Sequence, residues 1–445
     1  MDKLKMENGK ILPLLVELSI PAMIGMFVNA VYNIVDRMFI GNTPGLGSLG
    51  LAGITISFPV TLILMALSLM AGVGGATCFT IALGAKEEEK AKYYQGNSLT
   101  ITILFGLIFM IFGNVFMNPI LRILGASAQV LPYARTYLSI ILYGAVFQCV
   151  AMCGNNLSRA QGNAKNAMVA QMLGAGFNIL FDYIFIVLFH MGIQGAAFAT
   201  IGGQFLSMVW QLTFLFSKRS LIPCRIEHMI LKTKYALSVI KTGIPAFLMQ
   251  MSMSLLNIVI NSMLGTYGGD IAISTVGIIT SVQTLMLMPL TGMTQGQQPL
   301  ISYNFGAKRF DRVKATLKYT IIGSTILASL GFLVLQLFPT IIISMFNDEK
   351  AIIELGSHAL RIWFIFLPII GCQMMCAQFF QAIGMVKHSS FLNLLRQCLL
   401  LIPLILILST MFGLYGVFIA VPIADIIAFI ITIYMIKREM KMFVI

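Results

Sequence analysis

Two stretches of the sequence, residues 101–112 (ITILFGLIFMIF) and residues 391–410 (FLNLLRQCLLLIPLILILST), are long and almost continuously apolar. A helix needs roughly 20 mainly apolar residues to cross about 30 Å of hydrocarbon. A strand of an outer-membrane barrel instead alternates apolar and polar residues. Neither stretch alternates, and a helix satisfies its own backbone polar groups in lipid. The sequence therefore predicts membrane-spanning helices.

The composition of the whole chain agrees with this interpretation. Of 445 residues, 58% are hydrophobic and 10% are charged, whereas an average soluble domain is about 25% charged. These values exclude a soluble enzyme, a disordered chain and a nucleic-acid-binding domain. The net charge of +13 comes from Lys and Arg residues in alternate loops, which is a topology signal, so we expect no nucleic-acid partner.

Hydropathy breaks and turn residues divide the chain into twelve predicted spans. They cover residues 12–40, 50–83, 94–118, 130–158, 166–189, 193–216, 235–264, 272–303, 315–345, 352–384, 389–410 and 413–436. The loops on the side of the two termini hold 24 Lys and Arg residues, and the opposite side holds 5. Because positively charged loops remain in the cytoplasm, both termini are predicted to be cytoplasmic.

Short motifs recur at nearly constant spacing in the two halves of the chain. The offsets are 224, 222 and 221 residues, for Ile20-Pro21-Ala22 and Ile244-Pro245-Ala246, Gly84-Ala85-Lys86 and Gly306-Ala307-Lys308, and Gly192-x-x-Gly195 and Gly413-x-x-Gly416. The pattern predicts an all-α polytopic membrane protein whose twelve helices form two six-helix lobes, related by an internal pseudo-two-fold duplication. We expect an N-terminal lobe over residues 1–217, a cytoplasmic linker over 218–241 and a C-terminal lobe over 242–445.

Three acidic residues, Asp36, Asp182 and Asp425, lie well inside predicted spans. A carboxylate near the centre of a membrane helix costs about 2.5–3.5 kcal/mol on insertion scales, so each should face a partner or a water-filled cavity. For Asp36 the alternative is a salt bridge with its neighbour Arg37. For Asp425, which follows Pro422, the alternative is the capping of a broken helix.

The acids indicate a cation site in one lobe. Asn178 and Asp182 are four residues apart and share a helix face. The repeat places Ile260 opposite Asp36 and Leu404 opposite Asp182, so the second lobe lacks equivalent acids. Carboxylate, amide and hydroxyl oxygens suit an alkali cation, and the same carboxylates could bind a proton.

Prolines and methionines give weaker signals. Pro21 and other prolines inside spans remove a helical hydrogen bond and permit a kink, although lipid helices also tolerate proline passively. Among 30 methionines, Met286, Met288 and Met293 flank the polar stretch 291–298. Flexible thioethers suit a cavity that re-packs around varied ligands, and the alternative is that these methionines replace leucine against lipid.

The sequence contains no motif for catalysis. GxxxxGK[ST], GxSxG and HExxH are all absent, so we expect neither an enzyme nor a bound cofactor. The energy for transport must then come from an ion gradient or from another protein.

Three segments together resemble the multidrug and toxic compound extrusion (MATE) family, in a bacterial branch. They are Asn33-Ile-Val-Asp36-Arg-Met-Phe-Ile-Gly41 with Pro21, Ala160-Gln-Gly162, and Gly292-Met-Thr-Gln-Gly-Gln-Gln-Pro-Leu-Ile-Ser-Tyr-Asn-Phe-Gly-Ala-Lys308. The resemblance covers essentially the whole chain. It implies a V-shaped, two-lobed antiporter that expels organic cations in exchange for Na⁺ or H⁺.

The resemblance also implies roles for individual residues. Asp36, Asn178, Asp182 and Thr200 correspond to the polar cluster that binds the coupling Na⁺ or H⁺ in the N-terminal lobe. Tyr137 completes this cluster, and Pro21 corresponds to the proline associated with bending of the first helix. Members with an ion site in the second lobe carry acids in helices 7 and 10, and here Gln250–Leu256 and the middle of span 10 have none.

The sequence as a whole predicts a multidrug antiporter of the bacterial cytoplasmic membrane. Its substrates would be organic cation drugs or dyes, held by Asp36, Tyr137, Asn178, Asp182, Thr200 and Met293. We expect the lipid bilayer as its environment and no obligate protein partner. The alternatives are a flippase of lipid-linked precursors, which should line its cavity with basic residues, and a membrane scaffold or sensor, which should carry a soluble domain.

Overall fold

The structure is a computed structural model and describes residues 3–41 and 47–442, without the side chains of residues 3–5, 33, 34, 37, 40, 41, 47, 48, 51, 270, 441 and 442. Within these ranges the protein is helical and has no strand. The α-helices are α1 (Lys3–Asn8), α2 (Ile11–Gly41), α3 (Gly47–Gly84), α4 (Glu88–Val115), α5 (Met117–Ile123), α6 (Leu131–Tyr143), α7 (Ala145–Ala160), α8 (Ala164–Asp182), α9 (Gly192–Phe216), α10 (Thr233–Gly306), α11 (Phe310–Leu337), α12 (Pro339–Ser344), α13 (Lys350–Trp363), α14 (Leu367–Ala382), α15 (Val386–Leu394), α16 (Ile402–Phe412) and α17 (Leu414–Met442).

Most of these helices are long and apolar enough to cross a bilayer. In the described ranges nine helical segments qualify, and the bent pairs α6–α7 and α13–α14 each supply a further crossing. Helix α9 has 25 residues and no charged side chain, but its three glutamines make it less apolar than the others. With α9 the crossings number twelve, and the predicted fold class is confirmed.

Several crossings are interrupted in ways that the apolar pattern does not show. Helix α6 meets α7 at 52°, and α13 meets α14 at 50°. Helix α10 contains two crossings joined at Gly269, whose φ of 60° and ψ of −157° glycine adopts more readily than other residues. Two π-helical turns, Tyr183–Leu188 and Leu395–Leu401, follow α8 and α15.

The backbone repeats the duplication that the sequence predicts. Positive φ angles occur at the same places in both halves, at Lys86 (63°) and Lys308 (56°), Gly162 (77°) and Gly384 (76°), and Gly192 (57°) and Gly413 (57°). These pairs are 222, 222 and 221 residues apart, as in the sequence motifs. A non-glycine residue rarely adopts positive φ, so the matched lysines mark equivalent turns of one ancestral unit.

Both termini lie at the same end of the helical bundle, which we call the terminal end. Arg312, just after α10, donates from Nη2 to the carbonyl oxygens of Met6 and Gly9 at 3.3 and 2.8 Å. Near the C-terminus, Glu439 lies 3.5 Å from Nε2 of His388 at the start of α15. The opposite end, which we call the far end, contains the bend at Gly269.

The two lobes close on each other at the terminal end. Helix α3 of the first lobe packs along α10 so tightly that a side chain at Gly243 would collide with the backbone of Met70. Gln298 of α10 donates from Nε2 to Oγ1 of Thr77 at 2.8 Å across the same seam. Glycine is required at such a contact because any Cβ would separate the two helices.

Candidate functional site

Helices α2, α8 and α9 meet in the far half of the first lobe, where the sequence predicts a polar cluster. Helix α8 begins after Asn163, whose Oδ1 accepts from the backbone N–H of Asn166 at 3.1 Å. It ends at Asp182, which is fully buried, and the π-helical turn Tyr183–Leu188 follows directly. Such turns are frequent at functional sites, because the extra residue re-aims the side chains beside it.

Asn178 joins Asp182 to α9. In the amide orientation that satisfies both of its polar atoms, Asn178 donates from Nδ2 to Oδ2 of Asp182 at 3.2 Å. Its Oδ1 then accepts from the backbone N–H of Thr200 at 3.2 Å. The predicted i,i+4 pair therefore shares one face of α8, and that face is turned toward Thr200.

The second carboxyl group comes from α2. The side chain of Asp36 lies within hydrogen-bonding reach of the Asp182 carboxyl group. No N–H or hydroxyl group in the described part of the chain donates to the buried Oδ1 of Asp182. Two carboxylates this close repel each other, so a proton or a cation between them stabilises the arrangement.

The donor set fits a hard monovalent cation or a proton. Asp36, Asp182, Asn178 and Thr200 supply only carboxyl, amide and hydroxyl oxygens, which alkali cations prefer to sulfur or imidazole ligands. Over residues 3–41 and 47–442, apart from the side chains left out, no three His, Cys, Asp or Glu side chains converge as a transition metal would need. The predicted Na⁺ or H⁺ role of these four residues is chemically consistent and stays a prediction.

The other predicted site residues lie farther from this cluster. Tyr137 is buried on α6 and packs with Ile193 and Ala197 of α9, one turn before Thr200. Met293 is also buried, and its methyl group lies against Gly323 of α11 inside the second lobe. The placement of Met293 gives no support to a drug contact in this conformation.

Pro21 lies where α2 contacts the second lobe. Its neighbours Ser19 and Met23 pack against Gly296 and Gly292 of α10. The same helix therefore joins the seam between the lobes, near Pro21, to the acid cluster at Asp36. The alternative pairing of Asp36 with Arg37 falls on a side chain outside the described residues.

Sequence reasoning missed the partner of Asp425. In the second lobe, Arg396 donates from Nε to Oδ1 of this buried carboxylate at 2.6 Å. The charge count assigned Arg396 to a loop, but the residue lies inside the crossing Val386–Phe412. An arginine within an apolar span should itself have signalled a carboxylate partner.

A second buried arginine was also assigned to a loop. Arg159 ends α7 and is 7% exposed, and its Nη2 donates to Oδ1 of Asn156 at 3.0 Å. It borders a small cavity in the seam, together with Thr80 and with Gln298 of the other lobe. No carboxylate in the described part of the chain forms a salt bridge with it.

Comparison with known proteins places these features in context. The chain is 28% identical over 419 residues to the multidrug export protein MepA of Staphylococcus haemolyticus, covering 94% of this chain and 92% of that protein. It is 27% identical, with the same coverage, to MepA of Staphylococcus aureus strain MRSA252.

Solved structures agree over the whole length. One, described as the outward-facing conformation of a multidrug resistance MATE family transporter of the MOP superfamily, has a TM-score of 0.94 and 25% identity, covering 100% of this chain and 99% of that chain. A second, a MOP superfamily transporter from Pyrococcus furiosus with a binding pocket of reversed polarity, has a TM-score of 0.93 and 26% identity, covering 100% and 99%.

The family model named MatE matches the chain twice, over residues 21–184 and 245–407. The two matches begin 224 residues apart, which is the offset of the Ile-Pro-Ala motif. Together they cover most of the chain, with one match in each lobe. This multi-pass membrane protein therefore belongs to the MatE family of multidrug efflux transporters.

Proposed function

We propose that the protein is a secondary active antiporter that exports lipophilic organic cations in exchange for H⁺ or Na⁺. It would act in the bacterial cytoplasmic membrane with both termini in the cytoplasm, as the 24 to 5 distribution of Lys and Arg indicates. The observation that carries the proposal is the pair of carboxyl groups at Asp36 and Asp182, in a lobe that belongs to a multidrug efflux family.

The coupling ion binds at this pair. A proton or Na⁺ between Asp36 and Asp182 removes the repulsion between two carboxylates, and the oxygen atoms of Asn178 and Thr200 complete the ligand set. Binding draws α2 toward α8, since Asp36 and Asp182 lie on these two helices. Because α2 also packs on α10 near Pro21, the movement reaches the seam between the lobes.

Exchange follows from competition for the same negative charge. An organic cation in the space between the lobes is attracted by Asp182 only while the carboxyl pair lacks its ion. When the coupling ion binds, it neutralises the pair and the organic cation is released. The two ligands therefore weaken each other's binding, and that coupling is reciprocal by thermodynamic linkage.

The polarity of the pocket separates this proposal from the flippase alternative. The Pyrococcus furiosus neighbour shows that a shared fold does not fix pocket polarity. A flippase would need unpaired basic side chains facing a phosphate. Here Arg396 is neutralised by Asp425, and Arg159 lies in the closed seam between the lobes. The buried acids favour a cationic substrate.

The test is flux of a cationic dye such as ethidium in proteoliposomes. Na⁺ and H⁺ gradients are imposed separately on the wild-type protein and on Asp182→Asn. We expect one of the two gradients to drive dye flux in the wild-type protein, and the variant to lose that flux because its amide cannot neutralise a cation.

The matched control is Asp348→Asn, which makes the same chemical change at an exposed position of the far end. We expect this control to transport like the wild-type protein. Full gradient-driven flux in Asp182→Asn would contradict the proposed site. No flux in the wild-type protein with either gradient would contradict the antiport itself.

A further inference from the structure

A groove at the far end of the first lobe is separate from the acid cluster. It has a volume of about 790 Å³ and lies between α5, α6 and α9. Its lining residues are Asn118, Arg122, Leu131, Pro132, Arg135, Thr136, Ser139, Ile140, Gln194 and Phe198. Neither Asp36 nor Asp182 borders it, so the proposed antiport mechanism does not use this space.

The groove is positively charged. Two of the five basic residues predicted for the far side, Arg122 and Arg135, line it together. The chain has no acidic residue between Glu89 and Asp182, nor between Asp182 and Glu227, so every segment that builds the groove lacks one. In the described ranges neither guanidinium has a carboxylate within salt-bridge distance.

Neutral hydrogen-bonding groups surround the two arginines. Asn118 and Gln194 carry amide groups, and Thr136 and Ser139 carry hydroxyl groups. A guanidinium presents paired N–H groups in a planar fork that matches two oxygens of a phosphate. Two such forks with amide and hydroxyl donors are the chemistry that recognises a phosphate ester.

The surroundings of the groove are apolar and exposed. Phe198 on its rim is 41% exposed, and Ile123, which follows Arg122, is 84% exposed. Helices α6 and α9 belong to membrane crossings, and α5 ends near the same level. These exposed apolar side chains therefore contact lipid, and a ligand that has both a phosphate and acyl chains fits the site.

We propose that this groove binds the headgroup of an anionic phospholipid in the leaflet at the far end. Arg122 on α5 and Arg135 on α6 hold the phosphate, while Gln194 and Phe198 on α9 contact the glycerol and the first carbons of the acyl chains. A free phosphate shares the headgroup chemistry but gains nothing from the apolar rim. The bound lipid would join three separate helices of the first lobe.

The test is native mass spectrometry of the purified full-length protein with phosphatidylglycerol, phosphatidylcholine or inorganic phosphate. Each basic residue near an anionic membrane surface contributes about 1 kcal/mol, so we expect Arg122→Gln and Arg135→Gln each to weaken phosphatidylglycerol binding about fivefold, and the double variant about 30-fold. Phosphatidylcholine and inorganic phosphate should bind the wild-type protein at least about tenfold more weakly than phosphatidylglycerol.

The matched control is the double variant Lys350→Gln/Arg361→Gln, which removes two exposed positive charges from the far end of the second lobe. It should bind phosphatidylglycerol like the wild-type protein. If the groove double variant does not yield folded protein, the two single variants supply the same comparison. Unchanged binding in the groove variants, equal binding of phosphatidylcholine, or phosphate binding without phosphatidylglycerol binding would each overturn the proposal.

Discussion

The two lobes share one scaffold but place opposite partners around their buried acids. In the first lobe the carboxyl group of Asp182 faces a second carboxyl group, that of Asp36. In the second lobe the carboxylate of Asp425 faces the guanidinium of Arg396 at 2.6 Å. The first arrangement is completed by an external cation or proton, whereas the second is already neutral and needs none.

The positions equivalent to the N-lobe acids show the same difference. Ile260, opposite Asp36 in the repeat, is 4% exposed within the main apolar core of the second lobe, and Leu404, opposite Asp182, packs against that core. The duplicated backbone therefore kept its turns and helix contacts, while one copy filled the site with hydrocarbon. Ion chemistry belongs to a few side chains and not to the six-helix fold.

The largest effect should come from removing either carboxyl group of the pair. A hydrogen bond or ion contact to a charged group is worth up to about 3 kcal/mol, so Asp36→Asn and Asp182→Asn should each slow gradient-driven dye flux about 100-fold. If the two carboxyl groups act as a unit, the double variant should be no slower than either single one. Flux measurements on all four proteins provide the cycle.

Independent roles would give a different cycle. In that case the effects of the two substitutions would multiply, and the double variant would lose about 10⁴-fold, which would contradict a shared ion between Asp36 and Asp182. Expression and thermal unfolding of each variant must match the wild-type protein, so that flux reports coupling and not folding.

The ion pair of the second lobe should matter for stability and not for coupling. Asp425→Asn leaves the Arg396 guanidinium buried without a charge partner, which should cost about 3–5 kcal/mol in the free energy of unfolding. Replacing both residues, in Arg396→Met/Asp425→Leu, should recover most of that loss because no charge remains buried. Thermal unfolding in detergent measures the difference.

The same double variant sharpens the comparison between the lobes. It should keep ion-coupled dye flux, since its acid cluster in the first lobe is intact. A folded double variant that has lost coupling would show that the second lobe takes part in ion exchange, and the contrast between the lobes would then be wrong.

An acid introduced into the second lobe should destabilise the protein without creating a second site. Ile260→Asp places a carboxylate in an apolar core, at a cost of about 3 kcal/mol. The volume-conserving control Ile260→Leu should cost less than about 1.5 kcal/mol. Thermal unfolding measures both, and an ion-dependent rise in the melting temperature of Ile260→Asp beyond that of the wild-type protein would contradict the expectation.

Much of the fold could be predicted because the bilayer imposes strong rules. The spans, the duplication and the turns at Lys86 and Lys308 follow from helix length and repeated motifs. The juxtaposition of Asn178 and Asp182 follows from helical spacing alone. The approach of Asp36 and Thr200 to that pair came from the family resemblance, since spacing along one helix says nothing about contacts between helices.

The remainder depends on tertiary contacts that a one-dimensional pattern does not contain. The bend between α6 and α7 occurs without a proline at the joint. Arg396 was counted as a loop residue because the charge count stops at predicted boundaries, and its partner Asp425 is 29 residues away. Met293 follows a polar stretch in sequence, yet its side chain packs inside the second lobe.

The smallest effect should come from Pro21, which sets the flexibility of the helix that joins the acid cluster to the seam. Proline cannot donate a helical hydrogen bond, so Pro21→Ala restores one bond and stiffens α2. One such bond is worth about 1 kcal/mol, which shifts a conformational equilibrium about fivefold. We therefore expect dye flux to fall about fivefold, while ion-dependent thermal stabilisation, which reports binding at Asp36 and Asp182, stays unchanged.

Pro289→Ala is the matched control, because it makes the same change inside α10, away from α2. If it slows flux as much as Pro21→Ala does, the effect reflects general helix stiffness and not the link through α2. Loss of ion-dependent stabilisation in Pro21→Ala would have a different meaning. It would show that the bend in α2 helps to form the carboxyl pair, so that the first lobe differs from the second in its backbone as well as in its acids.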